Sequence, residues 1–418
     1  MNDEEKLRSL NQVLERCKKS SFYCRRLPDK ALDKLDDLKR IPLLTKADIR
    51  DNSPFGLVCV PGKELHLYHE TFGTTGKTSS TWLTVEDVKD LNRRVNLRGI
   101  DFNENDMVLI RFPYAISSVA HFTHAAAQDK NACVIPAGSR TVITPFPRVL
   151  DLMRKLKVTV LAALPLQALL IAETAEMLGY NPRKDFPDLR VVYTAGEVMT
   201  SNRRRVLEQI WGVPVIDNYG MTETGPMATD CRYGCLHPID DSYIFELLDD
   251  DLKEEVSPGE VGNLVITSLT RYALPLVRYL TGDRARIYRK SCPCGEEMAM
   301  QVKGRIQDTL MINGKLLDIW DMDDIVSHLP CGRFWAAGPL DGKLKIVVEK
   351  EKAEDSVESG IVDSLEEKYG VGLIVELVPK GTLYDRGELL AIGMAGKPKY
   401  IFNEEEIKSQ TYVKSARV

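Results

Sequence analysis

Short apolar runs alternate with helical segments between residues 105 and 220, and this alternation restricts the fold more than any other feature of the chain. The strand candidates lie at residues 107–112, 132–136, 158–162, 189–194 and 214–217. Strands that follow one another through helices usually form mostly parallel sheets whose faces the helices cover. The sequence therefore predicts an α/β fold.

Two later regions have different patterns. Residues 240–290 contain strand candidates separated by turns, which predicts a smaller β unit. The last part of the chain mixes helix candidates, at 318–329 and 354–369, with a hairpin and a strand, which is typical of a compact α+β domain. We therefore expect a large N-terminal domain at 1–306 and a small C-terminal domain at 307–418.

The composition excludes several classes of protein. The 418 residues are 44% hydrophobic and 28% charged, which is the balance of an ordinary globular chain. The net charge of −5 gives no bulk attraction to nucleic acid. The longest apolar stretch, 158–172, is too short to span a bilayer, and the acidic N-terminus is unlike a signal peptide. The nine cysteines are an odd number in a large chain, which favours reduced thiols over a disulfide framework and predicts a cytoplasmic protein. From the charge and the apolar stretch we expect neither nucleic-acid nor membrane partners.

The most informative motif is Thr-Phe-Gly-Thr-Thr-Gly-Lys-Thr-Ser-Ser at 71–80, which joins two strand candidates. Its glycines allow a tight turn that brings backbone N–H groups close to an anion, while hydroxyls and a lysine add donors and positive charge. The motif is not a Walker A sequence, which would need glycine at position 71. A flexible hairpin turn is the alternative. The predicted polyphosphate-binding residues are Thr71, Gly73, Thr74, Thr75, Gly76 and Lys77.

Further short motifs follow the loop in a fixed order. They are Thr-Ala-Gly-Glu at 194–197, Tyr-Gly-Met-Thr-Glu at 219–223, Thr-Gly-Asp at 281–283 and Gly-Arg-Ile-Gln-Asp at 304–308. Over about residues 20–320 the chain resembles the acyl-adenylate-forming (AMP-binding) superfamily, in particular its phenylacetate–CoA ligase type. The resemblance implies that ATP activates a carboxylic acid, an aromatic one by expectation, as an acyl-adenylate with release of pyrophosphate. The CoA thiol then accepts the acyl group.

The resemblance also assigns roles to the matched residues. Tyr219 would stack on adenine, Asp283 would accept the ribose hydroxyls, and Glu223 would hold Mg²⁺. Further nucleotide contacts are expected from Gly196, Glu197, Asn218, Gly220, Met221 and Arg305. The expected catalytic residues are Lys397, Glu223 and Thr222, and the expected acid-binding residues are Tyr114, His121 and Ala195.

The chain departs from the family pattern near its end. The adenylation lysine is expected at Lys397, with Lys399 as the alternative, after an apparent insertion at 387–395. Gln307 stands at the hinge about which the family's mobile C-terminal domain swings, where aspartate is usual. The acceptor could therefore be an amine or a carrier-protein thiol instead of CoA, and a homodimer stays open. A non-catalytic nucleotide-binding relative is disfavoured, because Glu223, Asp283 and the loop are all present.

Two short clusters of cysteine and histidine suggest a metal site. Cys231 and His237 form one cluster, and Cys292 and Cys294 form the other. Thiolate and imidazole ligands from two clusters are typical of tetrahedral Zn²⁺ in a structural site. The nearby Cys235 could replace one of the four, and reduced cysteines beside a surface turn are the alternative to a zinc site.

Overall fold

The computed structural model describes residues 1–71, 78–139, 141, 143–391 and 399–412. Within these residues the helices are α1 (Asp3–Cys17), α2 (Lys46–Asp51), α3 (Val85–Val95), α4 (Val119–Asp129), α5 (Phe146–Lys155), α6 (Pro165–Met177), α7 (Ser201–Trp211), α8 (Ile319–Ser327), α9 (Ser359–Tyr369), α10 (Arg386–Ala391) and α11 (Glu404–Lys408). Short 3₁₀ helices lie at Tyr23–Arg25, Leu35–Arg40, Gly62–Glu64 and Ile306–Asp308.

The strands follow the same division into an alternating region and later β-rich regions. They are β1 (Leu67–Glu70), β2 (Ser80–Leu83), β3 (Met107–Ile110), β4 (Cys133–Ile135), β5 (Val160–Ala163), β6 (Val191–Ala195), β7 (Val215–Met221), β8 (Gly225–Asp230), β9 (Leu236–Pro238), β10 (Tyr243–Leu248), β11 (Gly262–Ser268), β12 (Tyr279–Arg289), β13 (Met298–Arg305), β14 (Leu310–Ile312), β15 (Lys315–Leu317), β16 (Cys331–Leu340), β17 (Lys343–Lys350) and β18 (Leu373–Val378).

The largest sheet in the described residues has the strand order β4-β3-β5-β6-β7-β8-β9. Helices α4 to α7 connect its strands from β3 to β7 along the chain, whereas β7, β8 and β9 pair antiparallel. Strand β5 is buried along its whole length, as expected of a strand that helices cover on both faces. The predicted α/β class is confirmed, and each of the five predicted strands has a counterpart in this sheet.

Local sequence signals fix where two helices begin. Thr45 accepts a hydrogen bond from the Asp48 N–H, and the Asp48 carboxylate accepts one from the Thr45 N–H, so α2 starts with a reciprocal capping box. Thr84 and Asp87 form the same arrangement at the start of α3. Such caps satisfy backbone donors that the first helical turn leaves free.

The described chain forms two compact units. The first unit comprises Met1–Val134, Tyr193–Gly196 and Ile216–Val302, and the second comprises Ile135–Val192, Glu197–Val215 and Lys303–Val418. The predicted division between residues 306 and 307 stays a prediction. Among the described residues, no helix is both long enough and apolar enough to cross a bilayer.

The first unit contains the predicted smaller β unit as a sheet of order β10-β11-β12-β13. Strands β1 and β2 form a separate antiparallel hairpin in which His69 lies opposite Thr81. In the second unit, β16 and β17 pair antiparallel, and β18 then adds parallel to β17 after helix α9. The β16–β17 turn contains Asp341 and Gly342 with φ of 49° and 74°, which two-residue hairpin loops require.

Candidate active site

Strand β7 and strand β12 bring together two residues of the predicted nucleotide site. The Tyr219 hydroxyl donates a hydrogen bond of 2.6 Å to Oδ2 of Asp283, although 64 positions separate the two residues. Asp283 is 7% exposed, while the Tyr219 side chain is half-buried. One edge of an aromatic ring and one carboxylate therefore lie side by side, which suits a nucleoside with its base on the ring and its ribose on the carboxylate.

The turn between β7 and β8 is tightly constrained. A Cβ on Gly220 would lie 2.3 Å from the carbonyl oxygen of Gly225, so no larger residue fits there. Gly225 itself has a φ of 71°, in the left-handed region that glycine favours. The Met221 N–H donates to Oγ1 of Thr224 at 3.1 Å. These contacts fix the backbone of the turn that contains Thr222 and Glu223.

Glu223 is buried beside a lysine that the sequence analysis did not identify. Its side chain is 2% exposed, and its Oε1 lies 3.3 Å from Nζ of Lys46, the first residue of α2. The same Oε1 accepts no hydrogen bond in the described structure. A buried carboxylate oxygen without a hydrogen bond fits the hard oxygen ligand that Mg²⁺ requires. The capping box marks only the helix start at Lys46, and nothing local in the sequence relates this lysine to residue 223.

Arg271 supports the same turn from inside the first unit. It is 1% exposed and donates from Nη2 to the Glu223 carbonyl oxygen at 3.3 Å and to Oγ1 of Thr81 at 3.0 Å. Burial lowers the pKa of its guanidinium, an effect that Asp87 opposes. Arg271 therefore ties strand β2 to the Glu223 backbone, a role that no sequence motif indicated.

Only the base of the predicted phosphate loop lies within the described residues. The Thr71 N–H donates to the Ser79 carbonyl oxygen, and the Ser79 N–H donates to Oγ1 of Thr71, both at 3.1 Å. The loop therefore joins two antiparallel strands, as predicted. The predicted ligands Gly73, Thr74, Thr75, Gly76 and Lys77 lie outside the described residues.

Glu197, a predicted nucleotide contact, lies in the second unit. Its carboxylate accepts hydrogen bonds from the Leu166 N–H at 3.1 Å and from the Tyr400 hydroxyl at 2.7 Å, and Arg203 lies within 3.5 Å. Burial raises the pKa of Glu197, and Arg203 partly offsets this rise. Tyr400 was not identified from the sequence, because nothing local in the sequence relates it to residue 197.

The remaining predicted nucleotide-binding and catalytic residues lie on several different elements of the fold. Asn218 is buried in β7 and donates to the Tyr193 hydroxyl at 2.6 Å. Gly196 follows β6 with a φ of 83°, and Arg305 ends β13. Lys399 forms an ion pair with Glu406, whereas Lys397 lies outside the described residues. The choice between the two lysines stays a prediction.

The predicted acid-binding residues Tyr114 and His121 are neighbours. Nε2 of His121 lies 2.8 Å from the Tyr114 carbonyl oxygen, and the Tyr114 hydroxyl lies 3.1 Å from Nδ1 of His124. Burial raises the pKa of the Tyr114 phenol, so this hydroxyl keeps its proton. Ala195 is buried at the end of β6, in the same unit.

The four predicted zinc ligands form one cluster in the first unit. The ligand atoms of Cys231, His237, Cys292 and Cys294 all lie within 4.8 Å of one another. Sγ of Cys231 lies 3.6 Å from Sγ of Cys292, and Sγ of Cys294 lies 3.3 Å from Nε2 of His237. This donor set fits tetrahedral Zn²⁺.

The tautomer of His237 also suits a metal ligand. Its Nδ1 lies 2.6 Å from the Met298 carbonyl oxygen, and since a carbonyl can only accept, Nδ1 carries the proton. Nε2 is then the ring nitrogen that a metal ion could use, and it lies on the side of Cys294. A second partner of this kind commonly orients a histidine that binds zinc.

Comparison with known proteins gives the family. The profile described as AMP-binding enzyme matches residues 70–270. The phenylacetate-coenzyme A ligase of Thermus thermophilus is 31% identical over 333 residues, which cover 74% of this chain and 73% of that protein. The chain belongs to the AMP-binding enzymes of the phenylacetate–CoA ligase type. The ligase of the same name from Aromatoleum evansii is 28% identical over 306 residues, with 72% and 68% covered.

Solved structures agree on the fold of this AMP-binding enzyme. A 2-hydroxyisobutyryl-CoA ligase in its postadenylation state matches with a TM-score of 0.86 at 21% identity, covering 98% of this chain and 92% of that one. An anthranilate CoA ligase in complex with anthranoyl-AMP matches with a TM-score of 0.58 at 18% identity, covering 75% and 62%. The predicted family and the predicted enzyme class, an AMP-forming acid–CoA ligase, are confirmed, and transfer to an amine or a carrier protein is not favoured.

Proposed function

We propose that this ligase activates a small aromatic carboxylic acid at a site that includes Tyr219, Asp283 and Glu223. The observation that carries the proposal is the 2.6 Å hydrogen bond between Tyr219 and Asp283, in the same unit as the buried Glu223 carboxylate. The aromatic class of the acid is supported by relatives that are phenylacetate-coenzyme A ligases. Tyr114, His121 and Ala195 are the proposed acid-binding residues.

In the first half-reaction, a carboxylate oxygen of the acid attacks the α-phosphorus of ATP. The bond from this phosphorus to the bridging oxygen breaks, so pyrophosphate leaves and a mixed anhydride with AMP remains. The protein contributes position and charge stabilisation rather than covalent chemistry. Thr222, in the constrained turn after β7, is the proposed donor to the α-phosphate, and Asp283 is the proposed acceptor of the ribose hydroxyls.

Glu223 is the residue proposed to hold Mg²⁺. Its buried Oε1 without a hydrogen bond is the structural support for this assignment. When bound, the ion would neutralise negative charge on the nucleotide phosphates. Lys46 at 3.3 Å balances the Glu223 charge within the fold. The phosphate-loop residues and Lys397 complete the proposed cationic surroundings of the phosphates.

In the second half-reaction, the CoA thiolate attacks the acyl carbon, and AMP leaves with the bonding electron pair. We propose that residues 307–418 move between the two steps, with Gln307 at the hinge. Gln307 is exposed within the short 3₁₀ helix Ile306–Asp308. A backbone rotation there would not disturb a packed side chain, and hinges require such positions.

The zinc site is proposed to be structural. The four ligand atoms come from the turns after β8 and β12 and from β9, so an ion would cross-link strands of the first unit. All four protein ligands of a tetrahedral ion would be used, which leaves no open position for substrate.

Acid-dependent exchange of labelled pyrophosphate into ATP tests the proposed function. Phenylacetate, benzoate and an aliphatic acid such as butyrate should be compared, with Asp283→Ala as the variant without the ribose acceptor. We expect exchange with an aromatic acid and its loss in the variant. Added CoA should then give acyl-CoA and AMP in equal amounts. No exchange with any acid would contradict the proposal.

A further inference from the structure

A buried histidine lies against the segment that carries the proposed acid-binding residues. His69 is on β1, two residues before Thr71, and is 1% exposed. Its ring centroid lies 5.2 Å from that of His121 and 5.5 Å from that of Phe122, both on α4. The Glu70 N–H donates to the Ile116 carbonyl oxygen at 3.2 Å. The end of β1 is therefore packed directly onto residues 114–122.

The hydrogen bonds fix which nitrogen of His69 carries the proton. Nδ1 lies 3.3 Å from the Ile116 carbonyl oxygen, which can only accept, so Nδ1 is the donor. Burial lowers the pKa of His69 to about 4, and the nearby His121 acts in the same direction, so the ring is neutral at physiological pH. Nε2 is consequently an acceptor, and it is buried without a hydrogen-bond partner in the described structure.

His121 also directs a ring nitrogen to a backbone carbonyl. Its Nε2 lies 2.8 Å from the Tyr114 carbonyl oxygen, so Nε2 is a donor. The two neighbouring imidazoles, whose planes are tilted by 43°, therefore each direct an N–H group to a backbone carbonyl. What His69 offers to a ligand is therefore an acceptor and not a donor.

We propose that Nε2 of His69 is a specificity-determining acceptor that binds a hydroxyl or amino group on the acid. A buried acceptor without a partner is unfavourable, and a ligand that brings an O–H or N–H group removes this penalty. The substrate class is therefore a hydroxy- or amino-substituted aromatic acid rather than an unsubstituted one. The inference rests on the proposed function, because it places the acid beside residues 114–124.

The test compares acids that differ only in hydrogen-bond donation. Pyrophosphate exchange is measured with phenylacetate, its 2-, 3- and 4-hydroxy isomers, and the matching methoxy compounds, which fill similar space but cannot donate. At least one hydroxy acid should exceed its methoxy partner and phenylacetate by about tenfold or more in kcat/KM, since a site built around a substrate donor rejects analogues that lack it.

Two substitutions separate recognition from folding. His69→Asn keeps an N–H group near the position of Nδ1, so the hydrogen bond to the Ile116 carbonyl oxygen is retained. It removes the acceptor at Nε2. It should bring the ratio of hydroxy to methoxy acid close to one. His69→Gln, which places an amide oxygen near the position of Nε2, should keep part of the preference. His66→Asn is the matched control, because His66 is exposed just before β1, and it should leave the ratio unchanged.

The outcomes distinguish this inference from the proposed function. Exchange with aromatic acids but with equal rates for hydroxy and methoxy compounds would overturn the inference and leave the proposed function intact. A preference that His69→Asn retains would overturn it as well. Absence of exchange with every acid would contradict the proposed function on which the inference depends.

Discussion

Nζ of Lys46 lies 3.3 Å from Oε1 of Glu223, so a helix start and a strand-to-strand turn meet at one ion pair whose carboxylate is buried. The lysine side chain is 29% exposed and the glutamate side chain 2%. Lys46→Met leaves the carboxylate buried without its counter-charge, which costs about 1–3 kcal/mol of unfolding free energy. Urea unfolding without nucleotide measures this loss. Lys39→Met, at an exposed ion pair with Asp36, is the control and should cost less than about 1 kcal/mol.

The nucleotide site allows the ring and the hydroxyl of Tyr219 to be tested separately. Tyr219→Phe removes the hydrogen bond to Asp283 but keeps the aromatic face, so KM for ATP should rise less than about fivefold. Tyr219→Ala removes the stacking surface, and Asp283→Asn removes the charged acceptor. Each should raise KM for ATP about tenfold or more. Steady-state exchange at varied ATP gives these constants. Equal effects of Tyr219→Phe and Tyr219→Ala would contradict the stacking role.

The zinc proposal predicts one metal ion per chain in purified protein, measured by elemental analysis. Cys292→Ser should lose the ion and lower Tm, because a structural zinc site stabilises the fold it cross-links. Cys235→Ser is the matched control, since Cys235 is buried in the same cluster but lies outside the group of four ligands. Retention of zinc by Cys292→Ser together with its loss from Cys235→Ser would show that the ligand set is different.

An ion-pair network holds the C-terminal part of the second unit to helix α6. Arg386 bonds to Glu173 at 3.2 Å and to Glu349 at 2.6 Å, and all three side chains are mostly buried. If residues 307–418 move between the half-reactions, the bond to Glu173 must break. Arg386→Met should therefore change the rate of adenylation relative to that of thioester formation from supplied acyl-adenylate by about fivefold or more. Arg148→Met, at an exposed pair with Asp151, should change neither rate.

His69 also predicts a pH dependence of stability. Its pKa is about 4 in the folded protein against 6.5 ordinarily, so the unfolded chain binds more protons between these values. The free energy of unfolding of the wild type should therefore fall relative to that of His69→Asn as the pH falls from about 6.5 to 4. The difference between the two free energies should be constant above about pH 7. Urea unfolding at several pH values measures it. Parallel stability curves for the two proteins would contradict the lowered pKa.

Much of the fold follows from local signals in the sequence. The strand expected in the last part of the chain is present as β18, and the local sequences at Thr45 and Thr84 form capping boxes. Strand ends shift by a few residues where tertiary pairing decides them: the strand predicted to end at residue 217 continues to Met221 because β8 pairs with it. The apparent insertion at 387–395 begins within helix α10, where Leu389 is fully buried.

The candidate site likewise contains some residues that the sequence reveals and others that it does not. Cys231, His237, Cys292 and Cys294 could be grouped because their spacing and ligand type are visible in the sequence, and the structure brings them together. By contrast, Lys46, Arg271 and Tyr400 were missed. Each contacts its functional neighbour through long-range packing, and an isolated lysine, arginine or tyrosine gives no local signal of such a contact.

We expect the site of Tyr219, Asp283 and Glu223 to join an organic acid to the α-phosphorus of ATP. Mass spectrometry of a reaction with 4-hydroxyphenylacetate, ATP, Mg²⁺ and CoA tests it most directly, with Asp283→Ala run in parallel. We expect the acyl-adenylate before CoA is added, and acyl-CoA with an equal amount of AMP afterwards, both strongly reduced in the variant. Conversion of ATP to ADP, or AMP release that does not depend on the acid, would contradict it.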